Sequence, residues 1–362
     1  MKRTLINKYI FISFLIIFIP LYAQENPDSS KTTLDSTITK KTIESLTKGS
    51  KQFKGMFVFF QDTANGSVQM VVEKEQLNKE FIHFVHTLDG IVDVGHFRGA
   101  YKSSKIFEIR KYFNRLEFVV INTAYYFDPS NPLSRAATAN INESVLASLE
   151  IVLEDKETGS ILIKADDLFL SQNLYQIKPP PNPNSKPGAR FTLGSLNKKK
   201  CQYVSINNYP LNSDIAIKYV FDNPTPVNRG GPGITDPRSV SLVIQHSIIA
   251  APNNNYLPRH DDPRVGYFMT QITDMTSVSN TPYRDVIHRW NLQKKDPELP
   301  ISEPIKPITF WIENTTPLEF RDAVKEGVLR WNKAFRTAGF KNAIEVRVQP
   351  DNAKWDAGDI RY

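Results

Sequence analysis

The segment from Ile305 to Val348 constrains this chain most, because its apolar spacing changes from strand to helix and back within about forty residues. Ile305–Ile312 is a short apolar, β-branched and aromatic run that reads as a buried strand. A helix start follows, marked three ways: Thr316 can cap, Pro317 suits the first helical position, and Glu319 can reach back to close a capping box. Phe320, Val324, Val328, Trp331, Phe335 and Ala338 recur at steps of three and four and form one apolar stripe. Gly339 stands where a left-handed cap is wanted, and Phe340 is its apolar partner. Ala343–Val348 alternates like a second strand, and Asp359–Tyr362 reads as the first residues of a third. Strand, a helix of about 33 Å, strand predicts a right-handed crossover unit, with Trp331 and Phe335 filling the core between helix and sheet. A sequence that stops inside an apparent strand reads as a piece of a longer protein. Such a piece is expected to leave an open edge near Ile360 and apolar helix surface without a partner.

The other end carries a targeting signal. Lys2, Arg3 and Lys8 precede an almost uninterrupted apolar run from Tyr9 to Leu21, and Ala23 supplies the small residue before a cut that leaves Gln24 as the first mature residue. The run is short for a membrane span, which needs about 20 residues, so no stable span is expected after processing. An uncleaved anchor is the alternative. The reading is an exported protein, periplasmic or extracellular. Removing this segment takes three positive charges and no negative ones, so the net charge falls from +7 to +4, and nucleic-acid binding gains little support from it. Cys201 is the sole cysteine, so no intramolecular disulfide can form. It follows Lys198-Lys199-Lys200, whose charges could lower its pKa; a half-buried strand residue is the plainer reading, and a thiol capping a catalytic zinc the sharper one.

Residues 24–50 are rich in Ser, Thr, Lys and Asp and read as a flexible leader, with a short helix around 41–46. Residues 51–290 form a β-rich region. Lys51–Phe60 and Ser67–Glu73 flank an Asn65-Gly66 turn, and strands are expected at Glu80–His86, Lys102–Arg110, Leu116–Ile121, Ser148–Leu153, Ser160–Ile163, Gln202–Ile206, Asp214–Phe221 and Ser239–Ile249. Asp166–Leu170 reads as a helical turn. The proline-dense stretch 178–188 and the Pro/Gly-rich stretch 222–238 are connectors. Many strands at short spacing suit a sandwich or a barrel alike. Residues 291–304 form the linker to the last unit, so the expected class is α+β: a mainly antiparallel β region followed by a β-α-β unit.

No motif in the chain places catalytic chemistry. His83 and His86 are three apart, which puts them on opposite faces of a strand where they cannot share a metal. His96, His246, His260 and His288 are scattered, and a structural or surface role is the plain reading of each. H-E-x-x-H, a nucleophile elbow, a phosphate loop and a dinucleotide fingerprint are all missing. No catalytic residue and no metal ligand can be named.

From Pro258 to Phe268 the sequence resembles a bacterial family of exported zinc-dependent metalloproteases, whose long N-terminal regions carry domains of unknown function and whose catalytic domain is metzincin-like. Arg264-Val-Gly266-Tyr267-Phe268 matches one stretch of that family, and Arg289-Trp290-Asn-Leu-Gln-Lys-Lys-Asp-Pro297 matches the next. Gly327 to Phe340 matches its long helix, including Trp331, Phe335 and Gly339, and Asp359-Ile-Arg-Tyr362 resembles a following strand. The resemblance runs from about residue 40 and is sharpest from 258. It implies that residues 305–362 open a metzincin-like domain, that the whole protein uses zinc to hydrolyse protein or peptide substrates, and that the zinc helix would follow Tyr362. A non-catalytic exported β-rich protein that binds peptide or glycan is the competing reading, with Tyr125, Tyr126 and Phe127 as an aromatic platform.

Overall fold

The computed structural model describes residues 41–180, 183, 184, 186, 188–355 and 358–362. The cleavage residues Ala23 and Gln24, and the leader up to residue 40, lie outside the described residues.

The fold is mostly antiparallel β. After a one-turn helix, α1 (Ile43–Leu46), capped by Thr42, come β1 (Ser50–Lys54), β2 (Val58–Asp62), β3 (Val68–Val72), β4 (Glu80–Asp89), β5 (Tyr101–Tyr112) and β6 (Arg115–Val120). The chain continues through β7 (Tyr125–Tyr126), β8 (Ser144–Glu154), β9 (Ile161–Lys164), the short helix α2 (Asp166–Phe169), β10 (Ser195–Leu196), β11 (Gln202–Asn208), β12 (Asn212–Asp222) and β13 (Ser239–Ala250). The expected strand Lys51–Phe60 is two strands, because Gly55, Met56 and Phe57 turn the chain and pair β1 with β2 as a hairpin. The β2–β3 hairpin closes at the expected Asn-Gly position, where Asp62 Oδ1 accepts from the Ala64 and Asn65 amides and Gly66 takes φ +77°.

Twelve strands form one sheet in the order β1-β2-β3-β9-β8-β6-β5-β4-β13-β12, with β10 and β11 both pairing on the far edge of β12. The two ends of this sheet meet. The Met56 amide donates to the Tyr209 carbonyl at 2.6 Å, and Asn208 Nδ2 donates to the carbonyls of Phe53 (3.0 Å) and Phe57 (2.6 Å). The sheet is therefore a nearly closed barrel. Alternation decides what fills it: Ile215, Ile217, Tyr219 and Phe221 of β12 point inward with Phe81, Val85, Phe107, Ile109, Phe118, Ile244 and Ile248. The segment after β9 plugs the interior, with Leu168 and Phe169 of α2, then Leu174 and Ile177, all fully enclosed.

Residues 251–304 run over the surface with only the two-residue strands β14 (Met269–Thr270), β15 (Thr273–Asp274) and β16 (Val286–Ile287). The last unit holds β17 (Ile308–Ile312), α3 (Leu318–Leu329), α4 (Asn332–Thr337) and β18 (Ile344–Val348), and β17 pairs with β18 in parallel. The strand–helix–strand pattern is present, with three corrections. Pro317, not Thr316, is the N-cap and no side chain caps the helix; instead Arg321 donates to the carbonyls of Thr316 and Asn314. The single rod is two helices, split by a tight turn at Arg330 and Trp331. Asp359–Tyr362 is a turn rather than a strand, with Asp359 folded back onto the amide and guanidinium of Arg361. The C-terminal cap forms as the sequence implies: Gly339 has φ +91°, and the Phe340 amide reaches the Phe335 carbonyl at 2.9 Å.

Candidate functional site

Two polar constellations stand out, one on each face of the barrel wall. On the outer face, β12 and β13 carry Asp214, Gln245 and Ser247 at alternate positions, and the chain from Ala353 to Arg361 lies against them. Gln245 donates to the Gly358 carbonyl at 3.2 Å and to the Ser247 hydroxyl at 3.2 Å. Gly358 sits directly on the imidazole of His86, leaving no room for a Cβ. Asp214 is buried beneath this layer; Asn212 Nδ2 donates to its Oδ2 at 2.9 Å, yet burial still pushes its carboxyl above the usual range. A cavity of about 410 Å³ remains here between Leu88, Asn207, Asp214, Gln245, Trp355 and Asp359. Three rings brace the last unit beside it. Trp355 stacks on Tyr362 at 4.2 Å and Trp311 meets both edge-on, while Arg361 lies 3.4 Å over the Tyr209 ring. Arg98 pairs with Glu313 at 2.8 Å and ties the barrel to the end of β17.

On the inner face, three strands bring together residues far apart in sequence. His83 of β4 and His246 of β13 stack with ring centres 5.2 Å apart and planes within 3°, and His83 Nε2 lies 3.0 Å from His246 Nδ1. His246 Nε2 lies 2.8 Å from the Tyr219 hydroxyl, which donates at 2.6 Å to the carbonyl of Phe169 in the plug. Burial, then the Lys105 charge, brings His83 down to about 3, and burial holds His246 well below the ordinary imidazole value. The expectation of opposite faces holds: His83 is inside, and His86 is outside under Gly358. The sequence alone offers a structural or surface role for His246 and no sign of its neighbours. Its partner lies 163 positions away, and only the β4–β13 register, with Ile248 opposite His83, brings them together.

The residues singled out by the resemblance fall elsewhere. Arg264 is an exposed partner of Asp262, Gly266 and Tyr267 are exposed beside it, and Trp290 is exposed further along the surface segment. Trp331 is 64% exposed and Phe335 half-buried, so neither fills a helix–sheet core. That contact is made by Asn332, which donates to the Ile344 carbonyl and accepts from the Ile344 amide, both at 2.9 Å. Cys201 is buried, its thiol close to the Asn197 carbonyl, and burial raises its pKa, outweighing the lowering that the adjacent lysines could cause. Among the described residues no group of three or more His, Cys, Asp or Glu could hold a metal ion. None of their helices is long and apolar enough to cross a membrane.

A family model described as a domain of unknown function (DUF5117) matches residues 102–295, from β5 to the surface segment. No curated protein and no solved structure matches the chain.

Proposed function

The chain belongs to the DUF5117 family, whose model covers more than half of it, and on that footing we propose that it is the scaffold-bearing portion of an exported zinc-dependent endopeptidase. In this reading the barrel is a rigid base, and β17, α3, α4 and β18 are the opening unit of a metzincin-like domain. One observation carries the proposal. A parallel strand–helix–strand unit is fixed to the barrel, yet it leaves Phe320 and Val324 of α3 and Trp331 of the turn after it 57%, 44% and 64% exposed. An apolar stripe of that kind on a soluble protein marks surface meant for a partner. The ordered resemblance from Pro258 to Phe340 supplies the identity of that partner, the remainder of a peptidase domain.

The described residues do not offer zinc a ligand set. His83 and His246 spend their facing nitrogens on each other and on Tyr219, and no three donors converge. In this reading the zinc and the water it activates are held by residues other than the described ones, and no catalytic step is assigned to this chain.

The test is cleavage of a quenched fluorescent peptide library by the product of the whole gene, with and without chelator. Cleavage abolished by chelator and restored by zinc is expected, and the 362-residue chain alone should cleave nothing. Failure of the whole product to cleave, together with glycan or peptide capture by the 362-residue chain, would replace the proposal with a binding role.

A further inference from the structure

The hydrogen bonds inside the barrel form a chain whose direction is forced. The Phe169 carbonyl can only accept, so the Tyr219 hydroxyl donates its one proton there. Tyr219 can then only accept from His246, which fixes the proton on Nε2 of His246 and leaves its Nδ1 as an acceptor. That acceptor takes the Nε2 proton of His83. The last atom in the chain, His83 Nδ1, is a bare lone pair, fully buried and without a hydrogen-bond partner among the described residues. Both imidazoles are therefore neutral, and the chain ends on the plug: it holds the carbonyl of Phe169, whose ring packs edge-on to His246 at 6.1 Å.

We propose that His83, His246 and Tyr219 form an acid-sensitive latch that holds the α2 plug inside the barrel. A proton entering the closed latch could bind only at His83 Nδ1, which would create an imidazolium with no acceptor for its new N–H, opposite Lys105 on the neighbouring strand β5. Opening the plug exposes both rings to water and lets each take a proton. The sign follows. Both histidines sit below their unfolded value when the plug is in place, so its closure is unopposed above about pH 6.5 and loses support as the pH falls toward 3. The neighbouring groups cannot produce this effect. Asp166, at the start of α2, accepts from the Val68 amide and the Tyr203 hydroxyl, and burial raises its pKa, so acid favours its closed form. Tyr203 and Cys201 are also raised by burial and stay neutral throughout, and His86 lies on the opposite face of the wall.

The measurement is native-state hydrogen exchange from pH 7 to 5, corrected for intrinsic rates. Protection of the Leu168, Phe169 and Leu170 amides should fall by up to about 100-fold per pH unit, the signature of two protons taken up on opening. The amides of Ile215 and Ile217 in β12 should keep their protection over the same range. His83→Gln, whose amide can still donate to His246, should lower the dependence to about 10-fold per unit, one proton's worth. Loss of protection in β12 in step with α2, or an unchanged slope in His83→Gln, would overturn the latch. Should the variant fail to fold, the ¹⁵N shifts of the two wild-type imidazoles decide: both must carry Nε2 protons, and an Nδ1 proton on either ring refutes the chain.

Discussion

Single side chains divide here into those with one possible neighbour and those with none. Gly358 is of the first kind: a Cβ at that position would collide with the His86 imidazole, and the ring, enclosed in the wall, has nowhere to go. Gly358→Ala should cost about 1–3 kcal/mol by overpacking and loosen the last unit from the barrel, seen as a change in Trp355 fluorescence well before the barrel unfolds. Cys201 shows the same logic in its chemistry. Three adjacent lysines leave an activated thiol open beside the plainer reading of a buried residue, and the plainer one holds: the sulfur is enclosed and its pKa is raised by burial. Its reaction with a thiol reagent should therefore be slow in the native protein and should accelerate only as denaturant unfolds it.

At the scale of elements, α3 and α4 show how a correct pattern misassigns a face. The stripe at steps of three and four identified the helix, and the expectation was that Trp331 and Phe335 pack on the strands. Trp331 is exposed, and the partly buried positions run through Arg321, Val328, Leu329, Asn332 and Phe335, so the face is offset from the stripe and shares only Val328 and Phe335 with it. Trp331→Ser should accordingly change stability by no more than about 0.5 kcal/mol in urea titration, whereas Ile344→Ala, at a buried strand position, should cost about 2–5 kcal/mol. The sequence made strands, hairpins and the Gly339 cap legible because each is written in neighbouring residues. It could not show which strand lies beside which. The His83–His246–Tyr219 chain was invisible for that reason: it needs β4, β13 and β12 side by side, and no local spacing encodes that order. The turn at Asp359–Tyr362 misled in the opposite way, since four residues with strand-like composition folded onto their own acid–base pair, Asp359 and Arg361.

At the scale of the whole molecule, everything inside the barrel depends on a seam whose sequence separation predicts that it forms late. β1 and β11 are some 150 residues apart in sequence, and they meet through few bonds, two of them made by one side chain. Asn208 Nδ2 serves the carbonyls of Phe53 and Phe57, and its Oδ1 accepts from the Ser213 hydroxyl at 2.6 Å. Closing a sheet across that sequence distance means paying chain entropy before the contacts return it, which places folding on the slow, millisecond-to-second side for β proteins. Asn208→Ala removes the bridge and strands two carbonyls in a half-buried seam, each hydrogen bond contributing about 1 kcal/mol and each orphaned acceptor costing about 1–3 kcal/mol. The expected result is a stability loss of about 2–4 kcal/mol, since water can reach part of the gap. Because the seam forms after the hairpins, the loss should appear mainly as faster unfolding with the refolding rate nearly unchanged. Stopped-flow refolding and unfolding of the variant measures both limbs. Slowed refolding with an unchanged unfolding rate would mean that the seam belongs to the nucleus, and that the barrel closes first and fills afterwards.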